Sequence, residues 1–264
     1  RLGIYLDEEA GVLDEREPFH LSGLEKYQLE QDLLRRALEK GSLQDFFPVI
    51  RASGQLPHGV PGELLYDQSR AGVEAFLRDL LVFTQGKILE PLEVDLRIGG
   101  FQLVGRLENI YAAGLLGFRY ADVKPRDRLT LWIHHLVLNM TGAKGYPAKS
   151  RLIGKDLQCV YPAVSESEKI LQSLLTVYWE GLGKPLHFFP GSSWIYAEAL
   201  AKGKDEERAL RAARKEWLGD DYRHGESEDP YLQICFRNND PLDEEFENLS
   251  RGIFGPLVKC EEQT

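Results

Sequence analysis

Cysteine is scarce in this chain of 264 residues: three in all, at positions 159, 235 and 260, odd in number and far apart. That spacing builds neither a disulfide framework nor a zinc knuckle, so a reducing cytoplasm is the expected compartment. Long apolar runs are missing as well. No stretch approaches the roughly 18–20 residues of a membrane span, and none near the start reads as a signal peptide. No Met stands at the beginning; the chain opens Arg1-Leu2-Gly3 and reads as a piece of something longer. The patterns G-x-S-x-G, G-x-x-x-x-G-K-[ST] and G-x-G-x-x-G are absent, which argues against a serine hydrolase of that type, a P-loop motor and a simple dinucleotide enzyme. Positive charge is the minority, 32 Lys and Arg against 42 Asp and Glu, and a net charge of −10 repels nucleic acid overall.

What is present is ordinary in amount and uneven in placement. Hydrophobic residues at 43% and charged residues at 28% match soluble globular proteins, which excludes a disordered, collagen-like or coiled-coil chain. Between positions 119 and 155 stand eight basic residues (119, 124, 126, 128, 144, 149, 151 and 155) and only Asp122 and Asp127 as acids. This stretch carries +6 and leaves −16 for the rest. If any surface meets phosphate it is expected here, with Arg126, Arg128, Lys149 and Arg151 as candidates for contacts that position a strand without reading bases. The plainer alternative is a set of surface ion pairs with the acidic majority.

Hydrophobic periodicity divides the chain into a helical part at about 18–86, a sheet core at about 90–162 and a second helical part at about 165–258, within one domain spanning 1–264. An apolar opening (Leu2, Ile4, Tyr5, Leu6) leads to Ser22, an N-cap with Glu25 three residues on, and helical spacing to Gly41. A short helix at 43–52 and a longer one from Pro61 to near Gly86 follow. The period then changes to two: Leu92, Val94 and Leu96, a Gly99-Gly100 turn, then Phe101, Leu103, Gly105 and Leu107 predict a β-hairpin. A third consecutive antiparallel strand is expected at 115–120, sharing one sheet with the hairpin. A helix at 127–140 is expected to bury Trp132 on a stripe with Leu129, Ile133, Leu136 and Val137. Strands at 150–153 and 158–161 and helices at 165–180, 192–202, 206–217 and 243–254 complete an α/β (α+β) chain with one small mixed sheet flanked by helices.

Strand-strand-strand-helix-strand with acids near the second and third strands is the layout of the restriction-endonuclease-like nuclease core. Its chemistry needs an Asp or Glu at one strand end and a (D/E)-x-K on the next, two carboxylates holding Mg²⁺ and a Lys orienting the attacking water. Glu108, ending Gly105-Arg106-Leu107-Glu108, and Asp122-Val123-Lys124 stand in that order; solvated charges at strand ends are the plain alternative. His134 and His135 are adjacent and point to different helix faces, which excludes paired metal ligation. The aromatics of 186–190 and 194–196 are expected to pack a core or interface rather than stack bases.

Several phrases together, Glu17-Pro18-Phe19, Leu56-Pro57-His58-Gly59, Gly105-Arg106-Leu107-Glu108-Asn109, Leu131-Trp132-Ile133-His134-His135-Leu136, Pro190-Gly191-Ser192-Ser193-Trp194, Gly225 to Tyr231, Pro241 to Phe246 and Phe254-Gly255-Pro256-Leu257, resemble the C-terminal domain of RecC (gamma) subunits of exodeoxyribonuclease V, the RecBCD helicase–nuclease. The resemblance spans nearly the whole chain. It implies a nuclease-like fold that is itself non-catalytic, holds subunits together and helps split incoming duplex DNA. RecB-like and RecD-like partners are implied, with DNA reached through the full complex, and neither membrane nor bound cofactor; the complex as a whole uses ATP and Mg²⁺. Chi recognition is attributed to a helicase-like part outside this stretch. In active relatives a His follows a helix-leading Gly by four residues; here Gly62 is followed by Tyr66. Glu108 stands where they carry the first metal-binding Asp, and Asp122-Val123-Lys124 near their D-x-K, which makes Glu108, Asp122 and Lys124 vestigial candidates with no metal expected. Two alternatives remain: a weak Mg²⁺-dependent nuclease using those three residues, and a pure protein-interaction module without DNA contact.

Overall fold

Ser22 opens the first helix, α1 (Gly23–Leu38), with the predicted reciprocal cap: its hydroxyl accepts from the Glu25 N–H at 3.2 Å, and the Glu25 carboxylate accepts from the Ser22 N–H at 2.7 Å. The computed structural model describes residues 20–39, 41–84, 88–220, 223–236 and 239–263; the apolar opening around Leu2 to Leu6 and the phrase Glu17-Pro18-Phe19 lie outside them. Helices α2 (Phe47–Ala52) and α3 (Val60–Thr84) follow, and the chain divides into two compact units, Arg1–Asp79 and Leu80–Thr264. Within the first, Leu29, Leu33, Ile50 and Val73 are buried.

The second unit opens with the predicted hairpin. Strands β1 (Leu92–Ile98) and β2 (Phe101–Leu107) pair antiparallel from Leu92↔Leu107 to Ile98↔Phe101. Gly99 and Gly100 both hold positive φ, 53° and 89°, the backbone that a two-residue hairpin turn demands. Val94, Ile98 and Leu107 are buried while Glu93, Asp95 and Arg97 face out.

The expected single sheet is corrected here. Asn109 takes a left-handed conformation, φ 57°, which an amide side chain tolerates, and the β1–β2 ladder stops before it. Short strands β3 (Ile110–Tyr111) and β4 (Gly114–Phe118) then join a separate five-stranded sheet. The third strand therefore pairs with β3 and, in parallel, with β5 (Ser150–Ile153), rather than antiparallel with β2. Parallel pairing needs a crossover, and α4 (Pro125–Thr141) supplies it. β6 (Gln158–Tyr161) pairs antiparallel with β5.

Helices α5 (Ser167–Gly181), α6 (Pro190–Ala201) and α7 (Glu206–Leu218) follow. The ribbon β7 (Gly219–Asp220) and β8 (Arg223–His224), α8 (Pro230–Phe236), α9 (Glu244–Cys260) and β9 (Glu262–Gln263) end the described chain. β9 returns to β6, completing the order β3-β4-β5-β6-β9. The result is a mixed α+β architecture, as expected from the sequence.

Trp132 is fully buried, as predicted, in a core with Tyr161, Leu136, Leu152 and Phe254. The inward stripe of α4 is Arg128, Leu131, Trp132, His135 and Leu136; Ile133, expected on it, is exposed. Gly117 lets α4 sit close on the sheet, since a Cβ there would lie 3.2 Å from the Leu131 side chain. Phe189, Tyr196, Trp217 and Phe246 form a second core among α6, α7 and α9, while Phe188 and Trp194 pack in the first.

The start of α6 is capped from a distance. Glu226 accepts from the Gly191 N–H, the Ser192 N–H and the Ser192 hydroxyl at 2.7–2.8 Å. A carboxylate at a helix N-terminus satisfies open donors and opposes the helix dipole. Glu226→Ala should lower stability by about 1–2 kcal/mol and strip exchange protection from the Gly191 and Ser192 amides. Glu228→Ala, on the same short turn but exposed, should change stability by less than about 0.5 kcal/mol; equal losses would refute the capping role.

Candidate functional site

The loop after β2 carries Glu108, whose carboxylate is 61% exposed and ion-paired with Arg106 at 3.1 Å. Beside it a cleft of about 490 Å³ runs between β4 and α4, lined by Glu108, Arg119, Asp127, Thr130 and His134. One guanidinium nitrogen of Arg119 donates to both oxygens of Asp127, at 3.0 and 2.8 Å. Asp127 also accepts from the Lys124 N–H at 2.9 Å, which caps α4. Asp122 and Lys124 are exposed on the loop between β4 and α4, and neither lines the cleft. Tyr66, buried in the first unit, donates its hydroxyl to the Leu43 carbonyl.

A Mg²⁺ ion requires hard oxygen ligands converging on one point. Among the described residues no three side chains of His, Cys, Asp or Glu gather within reach of one metal ion. Glu108 forms an exposed ion pair with Arg106, and Asp122 lies outside the cleft that Glu108 lines. The two adjacent histidines diverge as expected. His134 lines the cleft, whereas His135 is buried. The His135 Nε2–H donates to the Pro162 carbonyl at 3.0 Å and Nδ1 accepts from the Ser150 hydroxyl at 2.8 Å. Burial pushes its pKa from 6.5 down to about 4.

The basic stretch does not form one patch. Arg128 is enclosed, its side chain 5% exposed, and is ion-paired with Glu261, itself 4% exposed. Its guanidinium also lies 4.4 Å above the Trp194 ring. Burial works against this charge, but the hydrogen bond and negative field of Glu261 more than offset it and hold the guanidinium above its ordinary range. A guanidinium so enclosed has no face for phosphate, which corrects the expectation for Arg128. Arg151 is half-buried with its guanidinium 3.9 Å above the Phe83 ring. Arg126 and Lys149 are exposed, but the crossover separates them. Arg126 stands on the first turn of α4, beyond the exit of β4, with Lys124. Lys149 precedes β5, and its carbonyl accepts from the Leu115 N–H at the entry of β4. Four strand residues put roughly 13 Å between those ends.

Period alone carried the signal for Arg128: positions 128, 132 and 135 share the inward face of one helix. Nothing local points to its partner, 133 residues away.

The described second unit is thus an α+β domain with a helix-crossed mixed sheet, a split cationic stretch and no gathered set of metal ligands among the described residues. The RecC C-terminal domain family model matches residues 1–201, and the chain belongs to that family. It is similar to the RecBCD enzyme subunit RecC of Escherichia coli (strain K12), 28% identical over 253 residues, covering 91% of this chain and 22% of that protein. The same subunit of Buchnera aphidicola subsp. Schizaphis graminum (strain Sg) is 28% identical over 230 residues, 82% of this chain and 21% of its own length. That of Buchnera aphidicola subsp. Acyrthosiphon pisum (strain APS) is 26% identical over 271 residues, 98% and 25%. The chain spans about a fifth to a quarter of the length of these curated relatives. Among the described residues no helix is long and apolar enough to cross a membrane.

Proposed function

We propose that this chain is a non-catalytic, nuclease-like domain of a RecC-type subunit, serving subunit assembly and strand separation of duplex DNA in double-strand-break repair and recombination. Its partners in this reading are RecB-like and RecD-like subunits, with ATP and Mg²⁺ used elsewhere in the complex. Family membership supports the setting. The observation that carries the non-catalytic part is Glu108, which stands where active relatives bind metal and is instead paired with Arg106. Arg126 and Lys149 are the exposed candidates for phosphate, Arg151 a third through the edge of its stacked guanidinium. A second reading, an assembly module without DNA contact, draws on the consumption of Arg119 by Asp127 and Arg128 by Glu261, which leaves the +6 stretch thinner than its sequence suggests.

One experiment separates these readings and the enzyme alternative. Forked DNA should bind the chain weakly, with affinity falling steeply as salt rises. Arg126→Glu with Lys149→Glu should reduce the log–log salt slope by about 2, roughly 0.9 for each phosphate no longer neutralised. An unchanged slope would favour the assembly module. With Mg²⁺ added, degradation of linear DNA should not exceed that of Glu108→Ala; degradation abolished by both Glu108→Ala and Lys124→Ala would establish the nuclease instead.

A further inference from the structure

Helix α8 is apolar or aromatic at every position but Gln233, yet none of its seven residues is buried. A helix of that composition belongs in an interior. One side of it is anchored. Leu232 and Phe236 pack on the second core, and the Phe236 ring stands edge-on to Phe189 at 5.4 Å and to His187 at 5.1 Å. Asp229 caps the helix, accepting from the Tyr231 N–H at 2.8 Å and the Leu232 N–H at 3.2 Å. The other side faces water: Tyr231 is 68% and Ile234 50% exposed, with Cys235 exposed beside them. Leu218, the last residue of α7, is 59% exposed and lines a cleft of about 780 Å³ together with Trp217, Leu232 and Ile234. An apolar patch held in place on a fixed helix marks an interaction surface, and tyrosine is among the residues that dominate such surfaces.

Charge narrows the occupant. Positions 226–245 hold seven acids, three before α8 and four after it, against Arg237 alone. Arg214 and Lys184 come in from elsewhere to pair with Asp240 and Glu245, and with both counted the acids still lead seven to three. A rim of that sign repels a polyanion, which argues against nucleic acid and against an anionic membrane. A second copy of this chain would set like-charged rims against each other, a costly arrangement. The fitting occupant is a protein surface with an apolar centre and a rim of Lys and Arg.

We propose that the outer face of α8, with Leu218 and the cleft beside it, docks such a basic-rimmed apolar surface of a partner subunit. Tyr231 and Ile234 are the anchors, and the acidic rim sets orientation and speeds encounter. The inference gives the assembly role a specific surface and rests on that reading.

Cys235 reports on this face, since Cys159 is buried and Cys260 half-buried. Maleimide labelling is followed at Cys235 by peptide mapping in the whole RecC-type subunit, alone and assembled with its RecB-like and RecD-like subunits. In the subunit alone Cys235 should label within about threefold of its rate after denaturation, and in the complex at least about tenfold more slowly. Tyr231→Glu with Ile234→Glu should weaken assembly at least about tenfold without lowering the unfolding midpoint, since both side chains are exposed. Glu228→Lys with Glu244→Lys should slow association at least about threefold and flatten its dependence on salt. Protection of Cys235 already in the subunit alone would assign α8 to the rest of its own chain, and protection by forked DNA or by self-association would assign it to those; each overturns the proposal. A complex that forms with Cys235 still open, or unchanged assembly in the Tyr231–Ile234 variant, overturns it while leaving the assembly reading in place. Failure of the unaltered subunits to assemble removes both.

Discussion

Arg128→Met should lower the unfolding free energy by about 3–5 kcal/mol, the loss characteristic of stranding one member of a buried ion pair. Arg128 and Glu261 are 5% and 4% exposed, so neither finds water when the other is removed. The Tyr161 hydroxyl donates to Glu261 at 2.8 Å, and Arg128 Nη1 approaches Cys159 Sγ at 3.3 Å, so the pair sits inside a shared polar network. Burial, reinforced by the negative charge of Glu261, raises the Tyr161 hydroxyl above its ordinary range and pushes the Cys159 thiol up to about 12, which keeps both neutral. Glu261→Gln should produce a loss of the same order. Arg128→Met combined with Glu261→Leu should recover much of it, because the desolvation of both charges disappears together. Denaturant titration of the four proteins measures this. A loss below about 1 kcal/mol in Arg128→Met would mean that the guanidinium reaches solvent and remains available to phosphate.

Acid should destabilise the protein through His135 before most carboxylates titrate. Its folded pKa, about 4, lies below the ordinary 6.5, so the fold prefers the neutral ring. The stabilisation is complete above about 6.5 and is lost as pH falls from there through about 4. At 1.36 kcal/mol per pH unit this is about 3 kcal/mol. The geometry explains the preference: the Nδ1 lone pair accepts from Ser150, and a protonated ring would set N–H against that hydroxyl with no carboxylate to receive it. Comparing wild type with His135→Gln between pH 7 and pH 4 cancels the carboxylates common to both. Wild type should lose about 3 kcal/mol more than the variant; parallel curves would place the His135 ring in contact with water.

The Ser22–Glu25 cap, the Gly99-Gly100 hairpin, and strands β5 and β6 were legible because each is specified by residues within a few positions of one another. Trp132 was legible as core because Leu129 and Leu136 stand at helical spacing from it. The break at Asn109 was not, since a left-handed Asn leaves no mark on a two-residue period. Nor was the return of β9 to β6, a pairing across about a hundred residues with only two pairs in register. The candidate site suffered most from reading charge along the chain. Eight cations in one stretch looked like one surface, but the β4–α4–β5 crossover sends Arg126 and Lys149 to opposite ends and turns Arg128 inward. Glu108, Asp122 and Lys124 had the order of a nuclease motif, and sequence order says nothing about whether side chains converge.

The β9 pairing also sets a schedule for folding. A growing chain has made β3 to β6 once Tyr161 is out, yet the residue that neutralises Arg128 lies a hundred positions further on. At ordinary synthesis rates of about 5–20 residues per second, that interval lasts roughly 5–20 s. Over that time Arg128 lacks its ion-pair partner, and Trp194, whose ring its guanidinium faces, itself follows β6 by more than thirty residues. The sheet is therefore completed late, and until Glu262 and Gln263 are made β6 has an open edge, the kind of unpaired strand that invites wrong partners.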